Sequence, residues 1–175
     1  DLWYLPSGET LRVFATAHPQ GGATWVFENL TEQVNLETED IRHLLANQVV
    51  MVTGAGGSIG SELCRQIVIC QPKALVLFEL SEFALYSITH ELRETLSVSG
   101  REATVRGVLG SVQNARRVRD VMKSFGVQTV YHAAAYKHVV LVEENVTEGI
   151  RNNVFGTLVL AEAAADLGVE SFILI

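Results

Sequence analysis

From Val49 to the end of the chain, short apolar runs alternate with longer stretches in which apolar residues recur three and four positions apart. The runs Val49–Thr53, Ala74–Phe78, Ala103–Val108, Thr129–His132 and Ser171–Ile175 predict five strands. Between them, Ser58–Cys70, Glu82–Leu96, Asn114–Phe125 and Val146–Leu167 predict helices, the first stopping before Pro72. Apolar strands separated by amphipathic helices form βαβ units, and right-handed crossovers give a parallel sheet covered on both faces. The expected fold class is α/β: a doubly wound, Rossmann-like sheet of strand order 3-2-1-4-5.

The first part of the chain has a different pattern. Trp3–Leu5, the turn Pro6-Ser7-Gly8-Glu9, the alternating Leu11–Ala17, the turn His18-Pro19-Gln20-Gly21-Gly22 and Ala23–Glu28 predict a small antiparallel hairpin region. From Thr31 to about Ala46 the spacing becomes helical, with Asn29 or Thr31 able to cap. Strands of this kind do not begin an α/β sheet. The expected division is therefore 1–46, strands and a linker helix, followed by 47–175.

Composition narrows the function classes. At 175 residues there is room for one ordinary domain, or one plus a fragment. A 48% hydrophobic content can fill a core. Thirteen Lys and Arg against twenty Asp and Glu leave a net charge of −7, which excludes the basic face that nucleic acid requires. No apolar run reaches the ~20 residues of a membrane-spanning helix, and Asp1-Leu2-Trp3 does not begin a secretory leader. Cys64 and Cys70, on one expected helix, are too far apart to bond each other, and point to a reducing, cytoplasmic setting. His132 and His138 lack a third partner at ligand spacing, so no metal is expected.

The candidate chemistry lies at the first strand–helix junction. Thr53-Gly54-Ala55-Gly56-Gly57-Ser58-Ile59-Gly60 spaces three glycines as Gly54-x-x-Gly57-x-x-Gly60. Such a loop allows a tight turn, close approach of the backbone to a pyrophosphate, and close packing of helix on strand. The helix amino terminus adds free N–H groups and partial positive charge. Glu79, nineteen residues past Gly60 at the end of the second strand, is placed to accept from the adenosine ribose hydroxyls and repel a 2′-phosphate. With no arginine just after it, NAD is favoured over NADP. Two simpler readings stay open: a structural glycine turn and an exposed loop acid. A methyltransferase can also use a strand, glycine loop and acid. A Walker-type site is excluded, because no Gly-Lys-Ser/Thr follows.

With these residues in view, 47–175 resembles the extended short-chain dehydrogenase/reductases, and within them the polysaccharide-biosynthesis nucleotide-sugar 4,6-dehydratases, which include UDP-N-acetylglucosamine 4,6-dehydratases. The resemblance rests on VTGAGGSIGSELCRQI (52–67), LFELSEFALYSI (77–88), LGSVQNARRV (109–118), YHAAAYKHV (131–139) and NNVFGTLVLAEAA (152–164). It implies that Gly54, Gly57, Ser58, Ile59 and Gly60 wrap the NAD pyrophosphate and that Glu79 holds the ribose. It further implies that Gly110, Ser111 and Val112 border the adenine and that Ala133, Ala134 and Ala135 line the nicotinamide half. Asn153 would stiffen the cofactor site. Lys137 would face nucleotide or substrate, although a solvated lysine is the simpler reading. The implied partner is a UDP-sugar, and a homo-oligomer is expected.

Val140 stands where the family usually has proline. The family's Thr-Asp-Lys run and catalytic tyrosine or its replacement follow the fifth strand, so no catalytic residue is assigned within these 175, and turnover is not expected of this stretch. Residues 3–37 resemble the last strands and signalling helix of a PAS sensor domain, which would make the chain a composite. A non-catalytic dinucleotide-binding or PAS-type signalling module is the alternative function.

Overall fold

The computed structural model describes residues 2–4, 10–17, 23–29, 41–100 and 103–175. They fall into two compact units, 1–44 and 45–175.

In the first unit, β1 (Leu2–Tyr4), β2 (Thr10–Ala17) and β3 (Ala23–Asn29) make an antiparallel sheet of order β1-β2-β3. Leu2 pairs with Arg12, Leu11 with Asn29 and Ala17 with Ala23. The expected hairpin between Leu11–Ala17 and Ala23–Glu28 is therefore present as a strand pair. Its turn at 18–22, the turn at 6–9 and the helix start at 31–40 lie outside the described residues. The final residues of that helix, 41–45, are helical (α1).

The second unit carries the doubly wound sheet. Its strands are β4 (Val49–Thr53), β5 (Ala74–Glu79), β6 (Thr104–Leu109), β7 (Thr129–His132) and β8 (Ser171–Leu174). They run in the order β6-β5-β4-β7-β8, every neighbouring pair parallel, which is 3-2-1-4-5 counted within the unit. The alternation of side chains along each strand divides the core. Val50, Val52, Leu75 and Leu77 pack with Cys64, Ile67, Val68, Ile88 and Leu92 of helices α2 (Ser58–Ile69) and α3 (Glu82–Ser99). Met51, Val76, Phe78 and Val130 face the other way, onto Val118, Met122, Leu160 and Ala163 of α4 (Ala115–Phe125) and α7 (Thr157–Asp166). Fully burying one such side chain is worth about 1.5–3 kcal/mol, so this two-sided burial fixes the central strands.

Helix ends follow local chemistry. The Ser81 hydroxyl accepts from Ala84 N–H at the start of α3, and the Asn114 side chain accepts from Arg117 N–H at the start of α4. Both helices end at a left-handed glycine, Gly100 and Gly126. Helix α2 begins differently: Gly57 is its N-cap, with no side chain capping it.

The expected helix over 146–167 is present as an uninterrupted helical stretch, 146–166, with a change of hydrogen-bond pattern inside it. It is α6 (Val146–Ile150), a π-helical segment (Arg151–Gly156) and α7, preceded by the short α5 (Val139–Glu144). Among the described residues no helix is long and apolar enough to cross a membrane.

Candidate functional site

The carboxyl ends of β4, β5, β6 and β7 meet the amino end of α2 around the glycine loop. Gly54 sits at φ +66°, and its N–H donates to the Phe78 carbonyl at 2.9 Å. A Cβ at Gly54 would lie 2.6 Å from the Ala133 carbonyl oxygen, and one at Gly60 would lie 2.0 Å from the Gly54 carbonyl oxygen. These two glycines let the loop, β7 and α2 close on one another. Gly56 does the same for α3, where a Cβ would meet the Ala84 side chain at 2.5 Å. Gly57 differs: its added Cβ would meet only the Gly54 carbonyl oxygen, at 3.2 Å, and its backbone suits any residue. The space beyond it is cleft. The N–H groups of the first turn of α2 point to the same end of the helix, uncapped by any side chain.

Glu79 closes the loop from β5. One carboxylate oxygen, Oε2, accepts from Gly56 N–H at 3.0 Å, and the other, Oε1, accepts from Leu80 and Ser81 N–H at 2.8 and 2.9 Å. A carboxylate has about four acceptor positions; one on Oε2 remains for a hydroxyl. The sequence showed no arginine beside Glu79, but Arg117 of α4 comes against Gly110, and its guanidinium donates to the Leu109 carbonyl.

Two clefts flank the loop. The narrower, of about 210 Å³, is lined by Gly54, Gly57, Glu79, Gly110, Ser111 and Val112 with the alanines 133–135 opposite. The wider, of about 570 Å³, runs from Gly57, Ser58 and Ile59 to Lys137, Leu141 and Ile175. Lys137 lines it, its ammonium donating to the Ser58 hydroxyl at 2.5 Å. The expected residues are thus gathered at one sheet edge, with two exceptions in role. Gly60 faces the loop, and Asn153 lines neither cleft. Asn153 spends its amide on the Tyr136 backbone, accepting from its N–H at 2.8 Å and donating to its carbonyl at 3.0 Å. The spacing gave no sign of Asn152, which lines the narrower cleft and donates to the Ala134 carbonyl at 2.6 Å.

His132 was also missed, except as an unsuited metal ligand. It is 2% exposed, and burial holds its imidazole below the usual 6.5. Its Nδ1 is 2.7 Å from the Thr53 hydroxyl and its Nε2 is 2.8 Å from that of Thr157. The signal was the pair of threonines, one at the end of β4 and one at the start of α7. Cys64 is a core residue whose thiol burial pushes up to about 12, too high for a nucleophile. No group of three or more potential metal ligands occurs among the described residues.

A family model described as "Polysaccharide biosynthesis protein" matches residues 50–175. The chain belongs to this polysaccharide-biosynthesis family. The capsular polysaccharide biosynthesis protein CapD of Staphylococcus aureus is 43% identical over 144 residues, 82% of this chain and 24% of its own length. The probable polysaccharide biosynthesis protein EpsC of Bacillus subtilis is 42% identical over 142 residues, 81% of this chain and 23% of its own. The chain spans about a quarter of these curated relatives. Among solved structures, UDP-glucose 4-epimerase from Stenotrophomonas maltophila, with bound NAD and formylated UDP-arabinopyranose, superposes with a TM-score of 0.64. That match is 22% identical and covers 73% of this family member and 36% of the epimerase. What the two share is the fold, a doubly wound parallel sheet.

Proposed function

We propose that residues 45–175 are the dinucleotide-binding part of an NAD-dependent enzyme that acts on a nucleotide sugar, a UDP-sugar 4,6-dehydratase or epimerase of polysaccharide biosynthesis. One observation carries this reading: Gly57 lacks a side chain where a Cβ would enter the cleft, at the uncapped start of α2 and within the same cleft as Glu79. A pyrophosphate fits there, because uncapped N–H groups and helix-end charge favour an anion. Gly57, Ser58 and Ile59 would hold it; Gly54 and Gly60 shape the loop around it. The remaining acceptor on Glu79 would take a ribose hydroxyl, and its charge disfavours a 2′-phosphate, so NAD is preferred over NADP. Gly110, Ser111 and Val112 would border the adenine, with Ala133–Ala135 toward the nicotinamide. When bound, the nicotinamide supplies a hydride acceptor that returns the hydride within the same cycle.

Lys137, which lines the wider cleft, offers a cation to the nucleotide or sugar diphosphate; Asn152 and Asn153 hold the loop that carries it. The titratable side chains around the wider cleft are Tyr136, Lys137, His138 and Glu148. Proton transfer at a sugar carbon needs a base within hydrogen-bond reach, and the resemblance puts that chemistry in the segment after the fifth strand. The role proposed for these 175 residues is therefore to bind and orient the dinucleotide. The test is calorimetric titration with NAD, NADP and a UDP-sugar. Saturable NAD binding, with NADP weaker, supports the reading; a wild-type chain that binds neither dinucleotide overturns it.

For residues 1–46 the PAS-type reading is a proposal that rests on the sequence resemblance alone; β1, β2 and β3 form an antiparallel sheet there. Exposed apolar side chains on α5 and around α7, among them Val139, Val140, Phe155 and Leu158, support self-association.

A further inference from the structure

We propose that His132 is a positioning residue: as the neutral imidazole protonated on Nε2, it couples the end of β4 to the π-helical segment and so sets the Ala134–Tyr136 backbone along the cleft. The proton positions follow from the partners. The Thr157 hydroxyl lies 2.8 Å from the Asn153 carbonyl oxygen, which has no proton to give. Thr157 must therefore donate to that carbonyl, leaving only lone pairs toward His132 Nε2. Nε2 carries the proton and donates. Nδ1 of the neutral ring is then an acceptor, and the Thr53 hydroxyl, 2.7 Å away, donates to it. The result is a one-way chain from Thr53 through His132 and Thr157 to the Asn153 carbonyl.

That carbonyl lies inside the π-helical segment Arg151–Gly156, where the ordinary i to i−4 bonding is interrupted. The Thr157 hydroxyl occupies it, and the same turn projects the two amides that grip the loop, Asn152 on Ala134 and Asn153 on Tyr136. At its other end the loop has little slack: Ala133 N–H donates to the Thr53 carbonyl at 3.1 Å, and the Gly54 backbone lies directly against it. Ala133, Ala135 and Tyr136 line both clefts. Phe172 packs against the imidazole, with ring centroids 6.2 Å apart, so the relay is shielded by apolar surface on the β8 side. No step of the proposed chemistry uses this buried histidine, and a hydrophobic residue would fill its volume without requiring two threonines.

The effect on cofactor affinity rests on the dinucleotide-binding reading, and the effect on the loop does not, so the test has two arms. Amide exchange in the 175-residue chain reads the loop directly. His132→Leu and Thr157→Val should each speed exchange of the Tyr136 amide by roughly tenfold, while β5 amides such as Leu77 stay unchanged. His132→Gln, which keeps one donor and one acceptor, should restore part of the protection. Nitrogen-15 shifts of the wild-type ring at neutral pH should report a proton on Nε2, and Thr157→Val should mix the tautomers. In the second arm, His132→Leu and Thr157→Val should each weaken NAD roughly tenfold, the double variant being no worse than either. Unchanged Tyr136 exchange in both variants, or a wild-type proton on Nδ1, overturns the proposal. If the wild-type chain binds no NAD while the exchange arm holds, the dinucleotide reading fails and the relay stands.

Discussion

Four glycines stand within seven residues of the β4–α2 loop, and a methyl group would meet something different at each. Gly54 is left-handed and pressed on the Ala133 carbonyl, and Gly60 is pressed on the Gly54 carbonyl. Alanine at either should cost about 3 kcal/mol or more, from backbone strain plus overpacking at Gly54 and from overpacking alone at Gly60. Gly57→Val meets the cleft and one tight contact, the Gly54 carbonyl oxygen at 3.2 Å, which a shift of a few tenths of an ångström relieves. It should leave the melting temperature within a few degrees of wild type and remove NAD binding, since the side chain fills the space assigned to the pyrophosphate. Melting curves read beside binding isotherms separate the two classes; equal NAD affinity in Gly57→Val would refute the assignment. The glycine spacing was legible in the sequence because each role needs the same residue. Which glycine serves binding and which serves packing was not, because that depends on what lies opposite.

His132 gives a pH dependence at the same scale. Burial depresses its pKa in the folded chain below 6.5, so the unfolded chain binds that proton more tightly. The stability associated with the neutral ring is fully present above pH 6.5 and is lost as the pH falls from there through the depressed folded value. Urea midpoints from about pH 7.5 down to about pH 5 should fall for wild type and fall less for His132→Gln. Parallel slopes would assign the titration to another group.

At the scale of elements, the strand–helix alternation from Val49 onward was enough to give the sheet and its order, because two-sided burial leaves an apolar run at every central strand. The π-helical segment inside the last long helix was not visible. Apolar residues keep helical spacing across 146–167, and the π-helical segment coincides with bonds that Asn152, Asn153 and Thr157 make to Ala134, Tyr136 and His132, which no local spacing reveals. Asn153 was singled out as a stiffener of the site; the structure gives it the Tyr136 backbone as its partner. Asn153→Ala removes both of those bonds, each worth about 0.5–1.5 kcal/mol. It should lower stability by about 1–2 kcal/mol in denaturant unfolding and weaken NAD by a larger fraction than an equally destabilising change in α4. A purely additive loss of stability, with affinity intact, would show that the loop is held by other contacts.

At the scale of the molecule, two units of different architecture share one chain, and the candidate site lies in the second. Its glycine loop, acid, Gly110–Val112 turn and alanine-lined strand end come from four separate strand ends, which is why motifs far apart in sequence converge on one cleft. The account predicts a chain that binds its cofactor through this cleft. The most direct test of the central claim is a calorimetric titration of the 175-residue chain with NAD, run beside Gly57→Val at matched folded fraction. One saturable site in the wild type, weaker for NADP and absent in Gly57→Val, is the predicted result. No heat from the wild type, or equal binding by the variant, would contradict it.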